Sequence, residues 1–457
     1  MYLFHLQYFN TVKYLYEISH SLGSILKSMK SVILSGSKLF FFRNCKSRIE
    51  MNKLIACGLK LAVINFVLVA LFGSVMRYKI AFSLPFLEHK NLLDAHSHFA
   101  FYGWITAAIY LLILADIKSK IPDLKVTKYI VVCIINLIGA YGMLAAFTYN
   151  DYYWLSILFS TVSLLCGWTY WLMLYFDVRK NKTISTRWYV GGLFFAFISS
   201  AGVFYIGYLT GSKQITNETL HASIFYYLHF QYNGFYIFSV IGLLLSRLQK
   251  IGIQISSKEN DLIYYSLFIS CLLGYGLSLL WMDLPIWFYV SIVLGTLIQS
   301  YGWLILLKFI ARKWQEIRQN WTRLQVFILV FVGLAFIVKT LLQQISIFPS
   351  VAQFAFDYRP VAIAYLHLIL LMGISTFMME QIISSTYFTF SKLGLTALKF
   401  FVLVIFVNQL FLGLDGFGSI LHFGIPNMKY ILLTLGILIA IALLFILIQL
   451  RNKKESI

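Results

Sequence analysis

Long apolar stretches follow one another along this chain, and they limit what it can fold into. A helix needs roughly 20 apolar residues to cross the hydrocarbon core of a bilayer. Twelve such stretches lie at about 54–76, 92–116, 128–149, 152–176, 188–210, 217–246, 260–282, 284–308, 323–346, 358–383, 391–412 and 429–450. Only 12% of the residues are charged, whereas a soluble domain carries about 25%. The sequence therefore predicts an all-α polytopic membrane protein, a bundle of about twelve transmembrane helices, and excludes an ordinary soluble enzyme.

The charges are few and uneven. There are 37 Lys and Arg against 17 Asp and Glu, a net charge of +20. In so apolar a chain this excess favours loops that lie against an anionic membrane face, and we expect no nucleic-acid partner. If the N-terminus is cytoplasmic, the inner segments hold 29 of the Lys and Arg and the outer loops hold 6. The positive-inside rule then predicts that both termini are cytoplasmic. A methionine at position 51, directly before the first span, is how a bacterial polytopic protein usually begins, which suits a bacterial inner membrane.

The first 50 residues differ from the rest of the chain. They are basic and contain no apolar stretch long enough to cross a membrane. Met51 directly precedes Asn52, Lys53 and the first span. The sequence predicts a twelve-helix domain over 51–457. It leaves two interpretations of 1–50, which is either a cytoplasmic extension or a segment upstream of a natural start at Met51.

Four histidines lie at similar depths within the predicted spans. His96 and His98 are in the second span, His229 is in the sixth and His367 is in the tenth. At the rise of an α-helix they lie roughly 6 to 14 Å below the outer edge of the membrane. One such histidine is more often a packing residue, but four at one depth favour ligation. Because neutral imidazole is a common axial ligand of heme iron, they predict one or two b-type hemes.

The spacing of His96 and His98 separates their roles. Two residues on an α-helix differ by about 200° and about 3 Å, so the two rings cannot chelate one ion but can serve two sites. Lys339, in the ninth span, either pairs with a heme propionate or extends toward the headgroups. Arg359, at the outer mouth of the tenth span, is a propionate candidate or a topology-setting charge. Glu380 is expected to extend toward the inner headgroups.

These histidine segments resemble parts of the large subunit of the heme–copper oxidase and nitric-oxide reductase superfamily. Residues 96–104, HSHFAFYGW, are similar to the His-x-His helix of its nitric-oxide reductase and cbb3-type branches. Residues 229–235, HFQYNGF, are similar to its sixth-helix motif. The resemblance implies a low-spin heme and a high-spin heme on the two faces of span 2. It also implies an active-site metal ligand at His229 and an axial ligand at His367.

The resemblance further implies a heme-dependent oxidoreductase that takes electrons from quinol or from an electron-donor protein and acts on a small gas. Two departures from the family limit it. The family has the His-x-His pair on helix 10 and the single heme histidine on helix 2, the reverse of this chain. The seventh span also lacks the histidine pair that completes the copper site, so we expect heme iron but little copper.

A different class of function is a secondary transporter of twelve spans that holds no heme. Such transporters commonly pair two Gly- or Pro-broken helices at matching positions in their two halves. The two halves of this sequence show no such pair, and no carboxylate is predicted at mid-membrane depth to couple protons or sodium ions. These features favour the heme protein, and a visible spectrum of the purified protein distinguishes the two.

Overall fold

A computed structural model describes residues 48–150 and 153–453, apart from the side chains of 48–50 and 355. Almost all of these residues belong to the compact unit Lys53–Ile457. Nearly all of the predicted extension over 1–50 lies outside the described residues, so both interpretations of that segment stay predictions.

Twelve helices of the described chain are long and apolar enough to cross a membrane. In chain order they are α1 (Arg48–Ala81), α2 (His89–Lys120), α3 (Val126–Tyr149), α4 (Trp154–Val178), α5 (Ile184–Gly211), α6 (Asn217–Lys250), α7 (Ser257–Leu279), α8 (Ile286–Arg312), α9 (Arg323–Ile345), α10 (Arg359–Ile383), α11 (Lys392–Ile420) and α12 (Met428–Gln449). Such helices satisfy their backbone N–H and C=O groups internally, as a lipid environment requires. The prediction of an all-α, multi-pass membrane protein is confirmed, while the cytoplasmic placement of the termini stays a prediction.

Little structure lies outside these helices in the described ranges. Two short helices, Trp314–Asn320 and Pro349–Asp357, connect longer ones. Two short strands, β1 (Phe388–Phe390) and β2 (Leu450–Asn452), pair in antiparallel orientation after α10 and α12. We call the end of the bundle that holds this sheet the basic end, because the connections after α2, α4, α6, α8 and α10, together with the helix ends that flank them, carry many Lys and Arg.

The helices α2 and α6 form the centre of the bundle. In their most apolar stretches 89% and 94% of the residues are buried, compared with 33 to 50% in the other ten spans. Thr106 of α2 and Tyr236 of α6 share a buried hydrogen bond of 3.3 Å. The indole N–H of Trp104 in α2 donates to Ser375 Oγ in α10 at 2.8 Å. The three histidine-bearing helices are therefore linked directly through α2.

Each of these three helices changes from α to π geometry at a histidine. The π-helical segments are Phe99–Thr106 in α2, Phe230–Tyr236 in α6 and Leu368–Ser375 in α10. The residues directly before them are His98, His229 and His367. π-helical turns are rare and occur frequently at functional sites. The change from α to π geometry after a histidine therefore recurs at every fourth helix, in α2, α6 and α10.

Candidate functional site

The His96 ring lies between α2 and α1. Its Nδ1 is 3.1 Å from the carbonyl oxygen of Val69. A carbonyl can only accept a hydrogen bond, so Nδ1 carries the proton and the neutral ring has its lone pair on Nε2. Gly73 of α1 leaves room for this ring, because a Cβ at that position would lie 3.2 Å from His96 Cε1.

The His367 ring has the same tautomer. Its Nδ1 donates to the carbonyl oxygen of Ile363 at 2.8 Å, which again leaves the lone pair on Nε2. Among the described residues no hydrogen-bond partner occupies Nε2 of His367 or of His96. The two rings are close enough to interact electrostatically across α2 and α10. Both imidazoles are thus in the form that can bind a metal ion through Nε2.

A cation that the sequence analysis missed lies beside this pair. Arg77 of α1 acts electrostatically on both His96 and His367, and it is attracted by the carboxylate of Asp415 in α11. The predicted first span ended at residue 76, which placed Arg77 in a loop. The helix continues to Ala81, so Arg77 is held on the bundle beside the two rings.

The two cations that the sequence did select lie elsewhere. Arg359 is near His89 at the end opposite the basic end, where its charge adds to those of Lys79 and Arg77. Lys339 is fully buried, and its electrostatic neighbours are His229 and Cys271 rather than the His96–His367 pair. The propionate roles of Arg359 and Lys339 stay predictions.

His98 faces the other side of α2. Its ring stacks on Phe147 of α3, with ring centroids 4.3 Å apart and planes inclined by 26°. Its Nδ1 donates to the carbonyl oxygen of Asp94 at 2.9 Å. His96 and His98 therefore contact different helices, α1 and α3, as a rotation of about 200° requires. A metal ligand role for His98 stays a prediction.

His229 uses both of its ring nitrogens within the protein. Nε2 donates to the carbonyl oxygen of Cys271 at 2.8 Å, and Nδ1 accepts from Asn233 Nδ2 at 3.1 Å. Ligation of a metal ion would require the loss of one of these bonds. In the part of the chain that the structure describes, no group of three or more His, Cys, Asp and Glu could hold a metal ion. The ligand role of His229 stays a prediction.

A buried carboxylate connects three helices at the basic end. Asp116 of α2 accepts hydrogen bonds from Ser246 of α6 at 2.6 Å and from Tyr189 of α5 at 2.9 Å. Lys120 and Lys250 form ion pairs with it at 2.8 and 3.1 Å. We call these five residues the Asp116 network. They fix the spacing of α2, α5 and α6, the scaffold on which the central helices depend.

Glu380 of α10 is a second buried carboxylate at this end. It is 5% exposed, forms an ion pair with Arg247 of α6 and accepts a hydrogen bond from Ser384 Oγ at 2.6 Å. The guanidinium of Arg247 also lies over the ring of Trp321, 4.3 Å from its centroid. The expectation that Glu380 extends toward the headgroups is therefore wrong, because a buried partner on α6 compensates its charge.

Comparisons of the chain with protein families and with curated proteins identify no relative. No protein-family model matches the chain, and no curated protein matches it at a significant level. The similarity of the histidine segments to the heme–copper oxidase superfamily therefore stays a prediction that rests on short motifs. The arrangement of His96, His367 and Arg77 is independent of that similarity.

Proposed function

We propose that this protein is a membrane cytochrome that holds a b-type heme between α2 and α10, with His96 and His367 as the axial ligands. The observation that carries the proposal is the shared tautomer of the two rings, each with Nδ1 fixed by a backbone carbonyl and Nε2 directed away from that bond. A heme with two imidazole ligands supplies one-electron transfer. The charge distribution supports a bacterial inner membrane as its location.

The residues around the pair prepare it for this role. The carbonyl groups of Val69 and Ile363 hold the ring orientations and increase the basicity of Nε2, as hydrogen-bond partners of metal-bound histidines commonly do. Gly73 provides the space that the His96 ring occupies.

Arg77 supplies the countercharge for a propionate. It lies near enough to His96, His367 and Asp415 to interact electrostatically with all three. A guanidinium binds a carboxylate through two parallel hydrogen bonds, which fixes the orientation of the group as well as its position. Arg77 is therefore the anchor that we assign to the acidic edge of the heme.

The pair also indicates the kind of reaction. With both axial positions filled by protein, the arrangement supports electron transfer rather than the binding of a gas. Quinol or an electron-donor protein is the partner that suits this chemistry. A gas ligand would need a second heme with an open position. His96 and His367 are assigned to the first heme, and both ring nitrogens of His229 are hydrogen-bonded. His98 is therefore the remaining candidate ligand for a second heme.

The visible spectrum of the full chain, expressed with adequate heme supply and purified in detergent, tests the proposal. We expect low-spin b-type bands and about one iron per chain or more. His96→Ala and His367→Ala should each abolish the low-spin signal, because each removes an axial ligand. His422→Ala, in an exposed loop, is the matched control and should keep it. A featureless spectrum contradicts the proposal and favours the transporter. Heme bands that persist unchanged in both variants also contradict it, because other residues would then hold the heme.

Arg77→Gln tests the anchor separately. We expect the heme to remain, since both ligands are present, while its midpoint potential falls because a positive charge that favours the reduced state is lost. Redox titration of the variant and of the unaltered protein measures the difference. Arg318→Gln, a change of the same type at an exposed cation of the basic end, should leave the potential near its original value.

A further inference from the structure

The ammonium group of Lys339 is buried without compensation. The residue is 0% exposed, it lies in the half of α9 away from the basic end, and its Nζ has no hydrogen-bond partner among the described residues. No carboxylate of the described chain forms an ion pair with it. An unpaired charge within a membrane bundle is costly, so such a residue is expected to have a function.

Further polar groups without partners surround it on α8 and α9. Gln343 lies one turn beyond Lys339 on the same face of α9, and Gln299 and Trp303 share one face of α8. The ring of Trp303 stacks on Phe336 at 5.5 Å, which brings these two faces together. The Oε1 atoms of both glutamines and the indole nitrogen of Trp303 are buried and lack a hydrogen-bond partner in the described chain.

The helices α6 and α7 close the other side. Lys339 interacts electrostatically with Cys271 of α7 and with His229 of α6. Because His229 Nε2 donates to a carbonyl, its Nδ1 is the acceptor for the amide nitrogen of Asn233. That orientation leaves Asn233 Oδ1 buried and without a partner among the described residues. We call Lys339, Gln343, Gln299, Trp303 and Asn233 the Lys339 cluster.

We propose that the Lys339 cluster binds a small monovalent inorganic anion of the size of chloride, nitrite or azide. When its amine is protonated, Lys339 carries a single positive charge with no carboxylate to neutralise it, which matches a monovalent anion and not a phosphate. The indole N–H of Trp303 is an additional donor. The side-chain amides of Gln299 and Gln343 can turn by 180° and present N–H₂ in place of oxygen. A metal cation would be repelled by the ammonium.

Thermal unfolding of the purified full chain in detergent tests this site. Sodium gluconate, whose anion is too large for the cluster, keeps the ionic strength constant while chloride, nitrite or azide replaces it. We expect a saturable rise in Tm of about 2 °C or more at saturating anion, because the ligand binds the folded state. The same rise should occur with Lys308→Met, which removes an exposed lysine of α8.

Lys339→Met should abolish the saturable rise. If that variant does not fold, Gln343→Leu still decides the matter, since it should weaken apparent anion affinity about tenfold by removing one polar contact. Equal Tm values in gluconate and in every small anion would overturn the proposal, as would an unchanged rise in the Lys339 and Gln343 variants. The measurement uses no heme signal, so its failure is separable from that of the cytochrome proposal.

Discussion

The Asp116 network and the Lys339 cluster are both buried and polar, but the ionisable group is compensated by other side chains only in the Asp116 network. The carboxylate of Asp116 has two ion-pair partners and two short hydrogen bonds from neighbouring helices. The ammonium of Lys339 has no bonded partner within the described residues. Burial costs both groups solvation, and only at Asp116 do other side chains offset that cost.

This difference separates a structural charge from a functional one. A buried charge that holds helices together is surrounded by groups of opposite sign or by hydrogen-bond donors of the right kind. Lys339 is instead accompanied by three amides and an indole that also have polar atoms without partners. A group of this kind is consistent with a site that a solute completes. Mutations in the two regions are therefore expected to change the free energy of unfolding in opposite directions as well as by different amounts.

The largest effect is expected for Asp116→Ala. The change leaves the partly buried Lys120 ammonium with hydroxyl partners alone, and breaking a buried ion pair from one side costs about 3 kcal/mol or more. Denaturant unfolding in mixed micelles measures the loss of stability. The control is Glu316→Ala, which removes a more exposed ion pair with Lys313 and should cost about 1 kcal/mol or less. Equal costs for the two changes would mean that Asp116 is not a structural charge.

Lys339→Met should have the opposite sign in gluconate. Replacing an uncompensated buried charge by an apolar side chain of similar length should stabilise the fold by about 1 to 3 kcal/mol. Unfolding of the variant and of the unaltered protein under identical conditions gives the difference. A clear loss of stability would show that Lys339 has structural partners and that its contrast with Asp116 is wrong.

A smaller effect is expected for Ser246→Ala. It removes one donor to Asp116 and leaves the two ion pairs and Tyr189 in place, so it should cost about 1 kcal/mol. The same unfolding assay measures it. Its coupling to Asp116→Ala in a double-mutant cycle should be large, because both changes act on one network. Additive effects would argue that the two side chains stabilise the fold separately.

The number of spans could be predicted because it depends on local composition. Each apolar stretch must form a helix in lipid, whatever it packs against, and the observed α6 (Asn217–Lys250) overlaps the predicted 217–246 throughout. The ends of the helices were less predictable, because a helix can extend beyond the hydrocarbon core into residues that are no longer apolar. Arg77 was missed for that reason: the predicted span stopped one residue before it, whereas the helix continues to Ala81.

The sequence by itself determined an all-α bundle of twelve spans and drew attention to His96, His98, His229 and His367. Only the tertiary structure decided which nitrogen His96 and His229 present, because Val69 and Cys271 contribute backbone carbonyls from other helices. It also decided that Asp116 is compensated and Lys339 is not. Hydropathy depends on each residue alone, whereas tautomer and charge compensation depend on neighbours distant in the chain.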